Sequence, residues 1–145
     1  MAIRVLFLCT GNSARSILAE ALLKSMGGSA FDVHSAGTSP KGVNPDALRV
    51  LAANGVDTGG AASKVVTQFE GAQFDYVITL CDDAAENCPI FWGGTERLHW
   101  GFEDPAAAEG TDRENLAAFQ AVLDGLKTRM QPFIETARGI KEGAR

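Results

Sequence analysis

Residues Ile3 to Leu8 form an apolar run of strand length, broken by Arg4 alone, and a turn-forming Thr10-Gly11-Asn12-Ser13 follows at once. From Ser16 to Met26 apolar residues then recur at helical spacing, at Ile17, Leu18, Ala21, Leu22 and Met26, until Gly27-Gly28 stops them. A strand that is apolar without alternation must be covered on both faces, and such strands belong to parallel sheets. The opening thirty residues therefore read as strand, loop and helix, the first half of a βαβ unit.

The pattern repeats along the chain. Phe31 to Ala36 is a second short strand, closed by Gly37, and Asn44-Pro45-Asp46 starts a helix with proline at its first position. Ser63 is placed to cap a short helix running to Phe69. Tyr76 to Leu80 and Arg97 to Trp100 are further strands. From Arg113 to Ala137 a helix carries Leu116, Phe119, Leu123, Leu126 and Met130 on one face, with a kink expected at Pro132 and fraying from Gly139. With no repeat and no linker, the 145 residues make a single domain, 1–145. The expected fold is α/β: a doubly wound, four-stranded parallel sheet with helices on both faces. Ligands of such sheets sit beyond the strand C-termini, where Cys9, Cys81 and the loop after Trp100 would gather.

Charge narrows the partners. Thirteen basic residues against eighteen acidic ones give a net charge of −5 and no basic cluster, which argues against nucleic acid. No run reaches the length of a membrane span, and the N-terminal apolar run is too short for a signal-peptide core, so a cytoplasmic protein is expected. With no second apolar face evident, a monomer is expected. A small anion remains a candidate ligand, because backbone N–H groups bind one without net positive charge.

Cys9-Thr10-Gly11-Asn12-Ser13-Ala14-Arg15-Ser16 has the makings of an oxyanion cradle. The N–H groups of Thr10 to Ala14 can wrap tetrahedral oxygens, the helix N-terminus adds a positive dipole end, and Gly11 eases the turn. Arg15 can grip two oxygens, and the same positive field favours the thiolate of Cys9 as a nucleophile under the bound centre. Ser16 either bonds the Cys9 sulfur or caps the helix; Asn12 either shapes the loop or is an ordinary turn residue. Asp104-Pro105 holds a carboxyl on a stiff corner: it is either a surface turn Asp, common before proline, or, beside this loop, a general acid kept protonated by like charge.

The odd count of three cysteines, Cys9, Cys81 and Cys88, does not fit a closed disulfide framework. Six residues between Cys81 and Cys88 is not a zinc spacing, and no metal is expected. If the intervening segment is helical, the two Cα atoms lie about 10 Å apart, beyond the roughly 7 Å a disulfide tolerates. That predicts a reduced helical form and an oxidised, looped form in which Cys88 moves to Cys81.

The Cys9–Ser16 loop after an apolar strand resembles the signature of the low-molecular-weight protein tyrosine phosphatase superfamily, whose flavodoxin-like three-layer sandwich matches the expected order of elements. Asp104-Pro105 stands where that family has its general acid. Cys81-Asp-Asp-Ala-Ala-Glu-Asn-Cys88-Pro89, with His99-Trp100-Gly101-Phe102-Glu103-Asp104-Pro105-Ala106, is similar to the thioredoxin-coupled arsenate reductases of the superfamily. The tyrosines that follow Asp-Pro in the phosphatases are replaced by Ala106 and Ala107, against a phosphotyrosine substrate.

The resemblance implies arsenate as substrate, with phosphate or sulfate as mimics, and a disulfide relay from Cys9 to Cys81 to Cys88 regenerated by thioredoxin; glutaredoxin with glutathione, or another low-molecular-weight thiol, is the alternative reductant for the same thiols. It implies no cofactor. Some reductases of the family bind potassium through an Asn, a Glu and a Ser matched here by Asn12, Glu20 and Ser35, but Lys64 stands where a further carboxylate would be needed, so no ion is assigned. The rival readings are a tyrosine or small-molecule phosphatase, a phosphocysteine carrier and a thiol redox sensor. His34 is read as a packed histidine, His99 is given no role, and Trp92 and Trp100 are read as half-buried packing residues.

Overall fold

Strand β1 (Ile3–Cys9) is buried at every residue from Val5 onward, as an inner strand must be. In this computed structural model, which describes residues 2–81, 91, 93–107 and 110–143, β1 stands between two parallel neighbours. It pairs with β2 (Phe31–Gly37) from Ile3 opposite Phe31 to Cys9 opposite Gly37. On its other side it pairs with β3 (Phe74–Thr79), with Leu8 opposite Thr79. Strand β4 (Gly94–His99) runs parallel to β3 at the edge, so the order is β2-β1-β3-β4. The chain winds outward from β1 to β2 and then crosses back to β3. The switch point, where such sheets bind ligands, therefore lies between β1 and β3.

Period-two alternation sorts β1 into two cores. Ile3, Val5, Phe7 and Cys9 join one cluster with the α-helices of the described residues, α1 (Arg15–Gly27), α2 (Pro45–Ala53) and α3 (Asp112–Gly143). Leu6 and Leu8 join the other, with Ala36, Phe74, Val77 and Phe91, covered by Val66 and Phe69 of a 3₁₀ turn (Val66–Phe69). Both faces of the sheet are thus covered. Trp100 is buried rather than half-buried, its ring 5.5 Å from that of Phe133 and 6.2 Å from that of Phe7. Trp92 lies outside the described residues. No helix among the described residues is long and apolar enough to cross a membrane.

Several boundaries differ from the sequence reading, each for a physical reason. Strand β4 starts at Gly94, three residues early, because its Glu96 and Arg97 are exposed; an edge strand needs no apolar pattern and is protected by charge. The helix expected after Ser63 is only the 3₁₀ turn, and Ser63 Oγ instead donates to the Gly11 carbonyl at 3.3 Å. Helix α3 runs through Pro132, as read, but continues past Gly139, where fraying was expected, to Gly143. Phe133, Ile134 and Ala137 remain buried beyond the proline, so packing outweighs the lost backbone bond. Helix α2 begins as read: Asn44 Oδ1 accepts from the Asp46 N–H at 2.8 Å, with Pro45 at the first position.

Candidate active site

Cys9 ends β1 as a buried free thiol, and α1 begins six residues later at Arg15. The loop between them turns its carbonyls toward the segment after β2. Thr10 O accepts from the Ser39 N–H at 3.0 Å, Gly11 O from Lys41 at 2.9 Å and Ser13 O from Asn44 at 3.0 Å. A planar trans peptide holds its N–H opposite its C=O, so the N–H groups of Gly11 and Ala14 lie on the other side, that of an open cleft which both residues line. The approach of β2 is close enough to demand glycine. A Cβ on Gly37 would sit 2.5 Å from the Thr10 carbonyl oxygen.

Asn12 takes a left-handed backbone (φ 42°) and is fully buried. Its side chain explains why. Asn12 Oδ1 accepts from the Lys64 N–H at 2.6 Å, and Nδ2 donates to Ser16 Oγ at 2.7 Å. A backbone N–H can only donate, so the amide orientation is determined. Ser16 Oγ, already accepting from Asn12, has its own hydrogen left for Cys9 Sγ, 2.9 Å away. Asn12 therefore shapes the loop, and Ser16 meets the sulfur; the N-cap position of α1 is Ala14, with no side-chain cap.

Arg15 is buried and its Nη1 donates to the Phe102 carbonyl at 3.0 Å, tying the loop to the segment after β4. That segment returns along β3, with the Trp100 N–H on Thr79 O and the Phe102 N–H on Leu80 O. It carries Asp104 to the same cleft as Cys9, Gly11 and Arg15. Asp104 Oδ1 accepts from the Ala106 N–H at 3.0 Å, and buried Pro105 opens a short turn behind it. Ala106, Ala107, Ala118 and Ala121 form much of the remaining wall.

Cys81 follows β3. The Leu80 N–H donates to Leu8 O, so Cys81 lies one strand over and one residue beyond the level of Cys9. It is fully buried and disulfide-bonded, while Cys9 is free. Gly101 separates it from the cleft: a Cβ there would lie 3.4 Å from the Cys81 carbonyl and 3.0 Å from His99 Nε2. Cys88 lies outside the described residues, as does the helix-to-loop exchange expected between it and Cys81.

Glu20 and Ser35 are brought together, the Ser35 hydroxyl donating to Glu20 Oε1. Lys64 Nζ also lies 3.5 Å from Oε1, and Lys24 Nζ 2.7 Å from Oε2. A donor set that includes an ammonium group does not suit a metal cation. His34 packs against Phe69 and Phe74, half-buried. The sequence reading missed Thr38 and Lys41, which line the cleft, and the place of Lys64. Lys41 lays its Cγ, Cδ and Cε over Gly11. Nothing local marks these residues, since their positions depend on how the segments after β2 fold back on the loop.

The model of the low molecular weight phosphotyrosine protein phosphatase family matches residues 4–142. An arsenate reductase of Halalkalibacterium halodurans is 44% identical over 134 residues, 92% of this chain and 96% of its own. A solved arsenate reductase in its phosphate-binding state superposes with a TM-score of 0.75 at 29% identity, covering 92% of this chain and 98% of that one. A thioredoxin-dependent arsenate reductase of Corynebacterium glutamicum gives a TM-score of 0.63 at 30% identity, covering 90% of this chain and 62% of that one. With strand order, signature loop and relatives in agreement, the chain belongs to the low molecular weight phosphotyrosine protein phosphatase family and, within it, to the arsenate reductases.

Proposed function

We propose that the chain reduces arsenate to arsenite. The observation that carries this reading is the convergence of Cys9, Arg15 and Asp104 on one cleft, with Cys81 on the neighbouring strand end. Arsenate enters the cradle of Thr10 to Ala14, where backbone N–H groups and Arg15 neutralise its oxygens. The Cys9 thiolate attacks arsenic, forming an As–S bond. Asp104 supplies the proton with which an arsenate oxygen leaves as water.

The Cys81 thiolate then attacks Cys9 Sγ. An S–S bond forms, the As–S bond breaks, and its electron pair stays on arsenic, which falls from As(V) to As(III) and leaves as arsenite. Cys88 attacks Cys81, transfers the disulfide to the Cys81–Cys88 pair and frees Cys9. Thioredoxin, as a dithiol, closes the cycle by taking up the disulfide. The whole chain acts as one domain and as a monomer.

The test is arsenate-dependent NADPH oxidation with thioredoxin and its reductase, repeated with glutaredoxin and glutathione. Turnover is expected with thioredoxin. Failure with both systems would overturn the reading, and turnover with glutaredoxin alone would reassign the reductant.

A further inference from the structure

Lys64 touches the signature loop at Asn12 and stands beside Glu20 on the helix that follows it. Its main chain is held on both sides of the Cα: the N–H donates to Asn12 Oδ1 at 2.6 Å, and the carbonyl accepts from the Gly37 N–H at 2.9 Å. Its ammonium donates to the Ala62 carbonyl at 2.8 Å and stands 3.5 Å from Glu20 Oε1. Glu20 is buried on α1, at 6% exposure, one turn beyond Ser16. Its second oxygen is met by Lys24, but that lysine is largely in water, with 47% of its side chain exposed against 18% for Lys64.

A buried carboxylate close to a site that must accept an anion works against that anion unless a positive charge compensates it. Lys24 is the nearer cation, at 2.7 Å, but the better-shielded compensation comes from Lys64, 3.5 Å away. The same residue holds Asn12, which in turn orients Ser16 toward Cys9.

We propose that Lys64 is a positioning residue for the oxyanion loop, its ammonium supplying from within the chain the charge that a bound monovalent cation would supply beside Glu20 and Ser35. The chain then needs no added ion to keep Asn12 and Ser16 in place. This rests on the reading that the loop binds arsenate, so the test includes a readout of the loop that does not depend on the reaction.

Lys64→Met, Lys64→Gln and Lys64→Arg are compared with the wild type in potassium chloride and in choline chloride of equal ionic strength. Two quantities are read: kcat and KM for arsenate, and the protection of Cys9 by inorganic phosphate against iodoacetamide, followed by mass spectrometry. The wild type is expected to be indifferent to potassium. Lys64→Met and Lys64→Gln should raise KM and weaken phosphate protection by about tenfold, with a smaller change in kcat, and potassium should recover much of the loss. Lys64→Arg should stay close to wild type.

Potassium activation of the wild type would overturn the proposal. So would a neutral variant that keeps the wild-type KM and protection, or that loses them with no response to potassium. If the wild type fails to reduce arsenate, the functional reading falls, while phosphate protection of Cys9 still decides the role of Lys64.

Discussion

Ser16 Oγ lies 2.9 Å from Cys9 Sγ, and Asn12 determines which way its hydrogen points. The hydroxyl is thereby committed as a donor to the nucleophile. Ser16→Ala removes the bond to sulfur and strands the Asn12 amide in a buried site. We expect kcat/KM for arsenate to fall by about 10- to 100-fold. Alkylation of Cys9 near neutral pH should slow in parallel. An unchanged alkylation rate would show that the hydroxyl does not act on the thiol.

Cys81 and Cys9 serve different steps, so their substitutions should separate two activities. Cys81→Ser is expected to abolish multiple turnover of arsenate while leaving slow hydrolysis of p-nitrophenyl phosphate, since phosphate is nearly isosteric with arsenate and needs only the cradle, Cys9 and Asp104. Cys9→Ser should abolish both. Persistence of arsenate turnover in Cys81→Ser would remove the relay, leaving a phosphatase-like chain as the better description.

Asp104 reaches the cleft on a corner stiffened by Pro105. Asp104→Asn keeps the shape and removes the transferable proton. A loss in kcat of about 10²- to 10⁴-fold is expected, with phosphate protection of Cys9 unaltered. Equal losses in kcat and in phosphate protection would indicate a structural role instead.

Tyr76 gives the sheet an alkaline weakness. Partial burial pushes its phenol above the ordinary value of 10.0, and the nearby Glu96 and Asp75 carboxylates add to the rise. The folded chain therefore binds this proton more tightly than the unfolded chain, and stability is lost as pH climbs through 10. Urea midpoints measured across that range should fall less steeply in Tyr76→Phe than in the wild type. Parallel curves would rule the phenol out as a source of the loss.

Gly37 lets β2 close on the signature loop, and a Cβ there would meet three backbone atoms of residues 9–12 at 2.5 to 2.8 Å. Backbone cannot swing aside as a side chain can. Gly37→Ala is expected to cost about 1–3 kcal/mol, read by urea denaturation, and to weaken phosphate binding at a loop many residues away in sequence.

Much of this site can be read from residues that act where they stand. Cys9, Gly11 and Arg15 lie on one strand-loop-helix unit, so their spacing already encodes their meeting. Asp104 and Cys81 were placed by the rule that parallel strand ends gather, and both follow strand ends in the structure. Lys64 could not be read this way. Its role depends on the bridge between Gly37 and Val65, a contact across the sheet that no local pattern announces. The start of β4 was hidden for the opposite reason: an edge strand is held by backbone bonds, so its side chains are free to be polar. Pro132 stands inside α3, as the reading from Arg113 to Ala137 had it, because Phe133 and Ile134 anchor the helix to the core.

The alanine wall of the cleft has a consequence of its own. Methyl groups at Ala106, Ala107, Ala118 and Ala121 can neither stack on a ring nor offer a hydrogen bond. An ester with a large organic tail therefore gains little remote binding energy from this wall with which to lower its barrier, and a bare tetrahedral anion forfeits nothing by lacking one. On this side of the cleft, selectivity would arise by omission, since the wall offers a larger group no more than methyl contact.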